Sequence, residues 1–178
     1  ARGVARMLGF DLCLNFNLPY FATNPSDFWR RWHISLSSWL GDYLYIPLGG
    51  NRGTRIATYR NLAITMLLGG LWHGAAWNFV IWGAFHGALL IVFRLWQERK
   101  GKPPPTAGPS GLGWLKAFGF FQITCLGWLI FRASSADQIT KMLKSFRHLA
   151  FAPEHLDALL RLLFFAGPLV LFQLYQHR

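Results

Sequence analysis

The chain has 178 residues, of which 53% are apolar, 17% aromatic and only 14% charged. Soluble domains carry about 25% charged residues, so this composition excludes a disordered polar tail, a fibrous repeat and an ordinary nucleic-acid module, and it favours a membrane protein or a piece of one. Eighteen Lys and Arg against seven Asp and Glu give a net charge of +11. The basic residues stand between apolar blocks, as they do beside membrane spans facing anionic lipid, so membrane lipid rather than nucleic acid is the expected partner.

The start, Ala1-Arg2-Gly3, has no Met and no signal peptide, and it reads as internal to a longer protein whose missing N-terminal helices could hold half a site. Cys13 and Cys125 are isolated thiols in apolar surroundings, expected as small buried hydrophobes rather than as a disulfide or metal site. Asn24-Pro25-Ser26-Asp27 is a helix start: Asn as N-cap, Pro in the first turn, then an acid. The predicted helix, residues 24–41, runs to about Leu40 with Gly41 as its stop. It carries Phe28, Trp32, Leu36, Trp39 and Tyr43 as one stripe, with Trp29, His33 and Ser37 on a neighbouring face. Rich in Trp and Arg, it suits the membrane interface. Ile46-Pro47-Leu48-Gly49-Gly50-Asn51-Arg52 then makes a turn.

Asn61 to Phe93 contains 33 residues without Asp, Glu, Lys or Arg. As one helix it would reach about 50 Å, too long for a hydrocarbon layer of about 30 Å. Gly69-Gly70 and Gly74 offer a break, so residues 61–96 are predicted as a broken membrane pair, about 61–72 and 76–96, joined at Trp72-His73-Gly74. Basic residues flank both sides of this block, so charge bias alone leaves its orientation open. A Pro/Gly-rich loop follows at 101–111. Ala117–Phe131 and Leu162–Gln176 are shorter apolar blocks, marginal as spans, and about Ala136–Phe151 reads as an amphipathic surface helix. The whole is expected to be one partial domain, all-α and integral to the membrane.

His73 stands out because a polar side chain near the middle of a membrane block is costly and marks function by default. The glycines at 70 and 74 permit a break or close backbone approach, and they would leave room beside the imidazole. A neutral histidine bonded to a carbonyl is the plainer reading. His33 could point at the same cavity or lie on a solvated face. Asn78 could line the cavity or make an inter-helix hydrogen bond. His86 lies about 220° around and about 20 Å along a continuous helix from His73, so the two could not share a metal there. It reads as a packing residue beside Gly83 and Gly87. No metal is expected. Arg30, Arg31 and Arg52 could meet donor phosphates at the interface, or lipid headgroups.

Three segments carry a resemblance: Phe28-Trp29-Arg30-Arg31-Trp32-His33-Ile34-Ser35-Leu36-Ser37; Asp42-Tyr43-Leu44-Tyr45-Ile46-Pro47-Leu48-Gly49-Gly50-Asn51-Arg52; and Leu68-Gly69-Gly70-Leu71-Trp72-His73-Gly74-Ala75-Ala76-Trp77-Asn78-Phe79. Together with Trp128-Leu129-Ile130-Phe131-Arg132-Ala133 they resemble the membrane-bound O-acyltransferase family, in its alginate O-acetyltransferase membrane-protein branch. The teichoic-acid D-alanylation membrane proteins are more distant cousins. The resemblance implies a ring of tilted transmembrane helices around a thinned centre with a tunnel, of which this chain is the C-terminal part. It places the family's essential histidine on His73 and a second frequent polar position on His33. It also implies a multi-pass protein of the bacterial inner membrane, with periplasmic or cell-surface partner proteins. The implied activity passes an acetyl (acyl) group from a cytoplasmic donor across the membrane to an exported polysaccharide such as alginate.

The chemistry agrees with that implication. Acyl transfer to a hydroxyl needs a base, and imidazole titrates near neutrality. His73 would be the base, and His33 would orient the donor or stabilise the oxyanion. Loss of His73 should hurt transfer most, His33 next and His86 least. The donor, acetyl-CoA or an acyl-carrier thioester, would be a substrate, with no tightly bound cofactor, and the isolated fragment is expected to be inactive. The alternatives are a non-enzymatic membrane transporter and a structural subunit of an export complex.

Overall fold

The structure, a computed structural model, describes residues 2–100 and 111–145. The loop expected at 101–111 (apart from Gly111), the end of the helix expected at 136–151 and the block 162–176 lie outside the described residues. The described residues up to Ile139 belong to one compact unit, and 140–145 belong to a second. Among the described residues every regular element is helical: α1 (Arg2–Met7), α2 (Pro25–Arg31), α3 (Ile34–Leu40), α4 (Arg55–His73), α5 (Trp77–Lys100), α6 (Gly111–Arg132) and α7 (Ala136–Ser145).

The start of α2 follows its sequence signal. Asn24 is extended and its side chain accepts from the Asp27 N–H at 2.9 Å, a cap that contributes about 1 kcal/mol. Asp27 is buried, and Arg31 closes on it at 3.0 Å. The helix does not continue to Leu40. It ends at Arg31, Trp32 is extended, and His33 is left-handed at φ 46°, ψ 53° before α3 begins. The chain around residue 16 bridges this gap. The Asn17 N–H donates to the Arg31 carbonyl at 2.9 Å, and the Ile34 N–H donates to the Asn15 carbonyl at 2.9 Å. The Asn15 side chain accepts from the Ser35 N–H at 3.0 Å, serving as a cap borrowed from elsewhere in the chain.

Nor does Gly41 stop the helix. It stays right-handed, and the backbone widens into a π-type turn, Gly41–Tyr45. The expected aromatic stripe is therefore divided: Phe28 is buried, whereas Trp39 and Tyr43 are exposed. Cys13, expected to be buried, is exposed.

Helices α4 and α5 form an antiparallel hairpin broken at residues 74–76. Gly74 closes α4 at φ 157°, a conformation that glycine adopts readily. Where the helices cross, a Cβ on Gly70 would strike the Phe79 carbonyl and press on Gly83, and a Cβ on Gly83 would strike the Met66 carbonyl. These glycines serve backbone contact. The room expected beside His73 is absent: Gly70 faces α5, and a Cβ on Gly74 would stand 2.7 Å from the Phe79 ring.

At the far end of the hairpin Glu98 accepts from the Tyr59 hydroxyl at 2.8 Å and pairs with Arg94 at 3.4 Å and Arg55 at 3.6 Å. Arg94 also donates to the Asn51 side chain at 2.8 Å, and the Tyr45 hydroxyl donates to the same oxygen at 2.5 Å. Burial raises the Tyr45 phenol above its ordinary pKa, and nearby Arg94 opposes the rise. Asn61, fully buried, donates to the Gly50 carbonyl at 3.2 Å and so pins the Gly49-Gly50 turn to α4.

Helix α6 is longer than the marginal block expected at 117–131. It runs for 22 residues because the helix begins at Gly111 and carries Lys116 within its second turn. Helices α5 and α6 are both long and apolar enough to cross a membrane. Phe28 and Ala22 pack on Phe120 of α6, while Trp82 of α5 packs with Ile130, Ala133 and Ile139.

Candidate active site

His73 is the last residue of α4, and its ring is boxed by aromatic rings from three helices. Trp72 lies 4.9 Å away between centroids, Phe131 of α6 5.0 Å, Trp82 of α5 5.3 Å and Phe79 6.2 Å. The first three meet it edge to face, an attractive geometry for aromatic rings. His73 remains partly exposed, and among the described residues no hydrogen bond ties its ring.

His33 reaches the same place from the α2–α3 junction. Its ring is 6.2 Å from that of Trp72, which also meets His73 at 4.9 Å, so one indole touches both imidazoles. Two oddities mark His33. Its left-handed backbone costs a non-glycine residue on the order of 1–3 kcal/mol, and its Nδ1 is buried without a partner. Strain and an orphaned polar atom cluster at functional sites.

Asn78 makes an inter-helix hydrogen bond. It is buried and donates to the Phe131 carbonyl at 3.0 Å, tying α5 to the end of α6. His86 is also buried. It lies parallel to Phe28 at 6.0 Å and edge to face with Trp82 at 4.7 Å and Trp29 at 5.2 Å. Arg31 is engaged by Asp27, whereas Arg30 is 72% exposed and pairs with the same carboxylate at 3.7 Å. Arg52 is exposed in the turn before α4, on the Glu98 side of the hairpin and away from His73. Among the described residues no three His, Cys, Asp or Glu side chains converge as a metal site.

Nothing in composition or motif assigns roles to the walls of the box, Trp72, Phe79, Trp82 and Phe131. Phe131 is 58 positions from His73, and only the packing of α6 brings it there. The signal within reach was adjacency, since Trp72 and Phe79 flank His73 in one motif.

The membrane-bound O-acyltransferase family model matches residues 3–135. The chain belongs to this family. It is 54% identical over 142 residues to the "probable alginate O-acetylase AlgI" of Azotobacter vinelandii, covering 80% of this chain and 27% of that protein. It is 47% identical over 144 residues to the peptidoglycan O-acetyltransferase of Helicobacter pylori, covering 81% and 27%. With the teichoic acid D-alanyltransferase of Streptococcus thermophilus it shares 32% over 151 residues, covering 74% and 35%. The chain thus spans about a quarter of the length of the first two relatives. Membership of a membrane-bound family accords with the all-helical described residues and their two helices long and apolar enough to cross a membrane.

Proposed function

We propose that this chain carries the acyl-transfer centre of a membrane O-acyltransferase that acetylates an exported polysaccharide such as alginate. The observation that carries the reading is the meeting of His73 and His33 around Trp72, on helices that lie within the family match. The same segment is shared with proteins whose names give three different acceptors, alginate, peptidoglycan and teichoic acid, and two acyl groups. That pattern supports a common transfer centre here, with acceptor choice set elsewhere.

In this reading the acceptor hydroxyl attacks the acyl carbon of a thioester donor such as acetyl-CoA or an acyl-carrier thioester. His73 takes the hydroxyl proton as the C–O bond forms. The C–S bond then breaks, and the proton passes from the imidazolium to the leaving thiolate, giving an ester and a thiol. His33 orients the donor or stabilises the oxyanion. Asn78 acts through its bond to α6 rather than on the donor. Arg30 and Arg52 remain candidates for donor phosphate or lipid headgroup, and Arg31 is committed to Asp27.

The protein is placed in the bacterial inner membrane as a multi-pass chain, the basic end of the α4–α5 hairpin toward the cytoplasm. Transfer proteins of the periplasm or cell surface complete the modification. The deciding experiment is His73→Gln in the complete reading frame, in cells lacking the native gene. Polymer acetylation should fall by about 10²–10⁴-fold at unchanged membrane abundance. Near-full acetylation at equal abundance would make His73 structural.

A further inference from the structure

We propose that Phe131, held in place by Asn78, limits the size of the acyl group that His73 can serve. This rests on the acyl-transfer reading and extends it to a specificity residue.

The reacting carbonyl must come within about 3–3.5 Å of a hydroxyl that is itself bonded to the base. The acyl chain therefore begins within a few ångströms of the His73 ring, and the four surrounding rings decide where it can extend. Trp82 cannot yield, since it is 2% exposed and backed by His86, Ile130 and Ala133. Phe79 is wedged against Gly74. Trp72 is 60% exposed and shields the box only loosely. Phe131 is the wall brought by a separate helix. Its ring stands 5.0 Å from both His73 and Phe79 and 5.5 Å from Trp82, so it walls the box on the α6 side.

Its position is fixed at the backbone. Asn78, 5% exposed, bonds the Phe131 carbonyl at 3.0 Å across 53 residues of sequence. Ring contacts at these distances leave no channel between Phe131 and His73. An acyl chain that enters past the loosely closed Trp72 side and runs inward from His73 meets the Phe131 ring, which limits its length. Asn78 is thereby a positioning residue, since it touches no substrate and sets where the wall stands.

The test measures transfer from acetyl-CoA and from butyryl-CoA in membranes holding the protein expressed from its complete reading frame. Phe131→Ala should raise the butyryl-to-acetyl ratio by about tenfold or more, the scale of discrimination that one or two methylenes carry. Asn78→Ala should move the ratio the same way by less, which a purely structural hydrogen bond would not do. Phe118→Ala, on an exposed ring of α6, should leave the ratio unchanged. If Phe131→Ala fails to accumulate, Phe131→Leu decides by the same ratio. A ratio within about twofold of wild type at equal abundance, or loss of both transfers in the Phe131 variants, overturns the proposal while leaving acyl transfer standing. A wild-type protein that transfers neither group overturns the acyl-transfer reading and this one with it.

Discussion

Gly70 and Gly83 bring α4 and α5 together backbone to backbone, with no side chain between them at the crossing. A methyl group on either residue would meet a carbonyl of the other helix, which cannot move aside as a flexible side chain can. Gly70→Ala and Gly83→Ala should each destabilise the hairpin by about 1–3 kcal/mol or more. Gly119→Ala is the control, because nothing lies within 4 Å of its Cβ position and alanine favours a helix. Membrane abundance and thermal unfolding in detergent should fall for the first two and hold or rise for the third. Equal behaviour of all three would mean the helices do not cross there.

His33 combines a strained backbone with a ring at the site, and two substitutions separate these roles. His33→Gly removes the ring and relieves the left-handed strain, whereas His33→Ala removes the ring and keeps the strain. The Gly variant should unfold at a higher temperature than the Ala variant, by an amount equivalent to roughly 1 kcal/mol, and both should lose most acyl transfer. An Ala variant as stable as the Gly variant would show that the backbone at position 33 stores no strain.

The burial of His86 changes the ranking that its sequence position suggests. His86→Ala would empty a space lined by Phe28, Trp29, Trp82 and Phe85, a loss on the order of 3–5 kcal/mol for a large ring. Its first effect should be on abundance, with transfer per molecule nearly unchanged in whatever folds. A Cβ on Gly127 of α6 would stand 3.0 Å from His86 Nε2, so Gly127→Ala should destabilise through that contact. The double variant should then lose less stability than the two single losses added. Strict additivity in thermal unfolding would show that the two residues do not press on each other.

The features legible in the sequence were local ones. The Asn24 cap needs only Asp27, three residues on, and the hairpin break needs only Gly74. The interruption at Trp32-His33 was hidden because nothing nearby signals it. No Gly or Pro stands there, and the hydrogen bonds that replace the missing helical ones come from Asn15 and Asn17. Gly41 misled for the opposite reason: a residue that permits a helix stop does not require one, and here it stays right-handed. At the site, His73 and His33 could be named from motif residues. The Phe131 wall and the helix bond of Asn78 depend on where α6 packs, which no window of sequence contains.

The Glu98 cluster folds the charge map of the molecule in half. Along the sequence, Arg52, Arg55 and Arg60 stand on one side of the uncharged stretch and Arg94, Arg99 and Lys100 on the other, as if both faces of a bilayer were equally basic. Because Glu98 joins Arg55 and Tyr59 to Arg94, these six cations gather at a single pole. The opposite pole, at residues 73–77, carries none. The hairpin is therefore polarised as a unit, its cations drawn to one end and none left at the other.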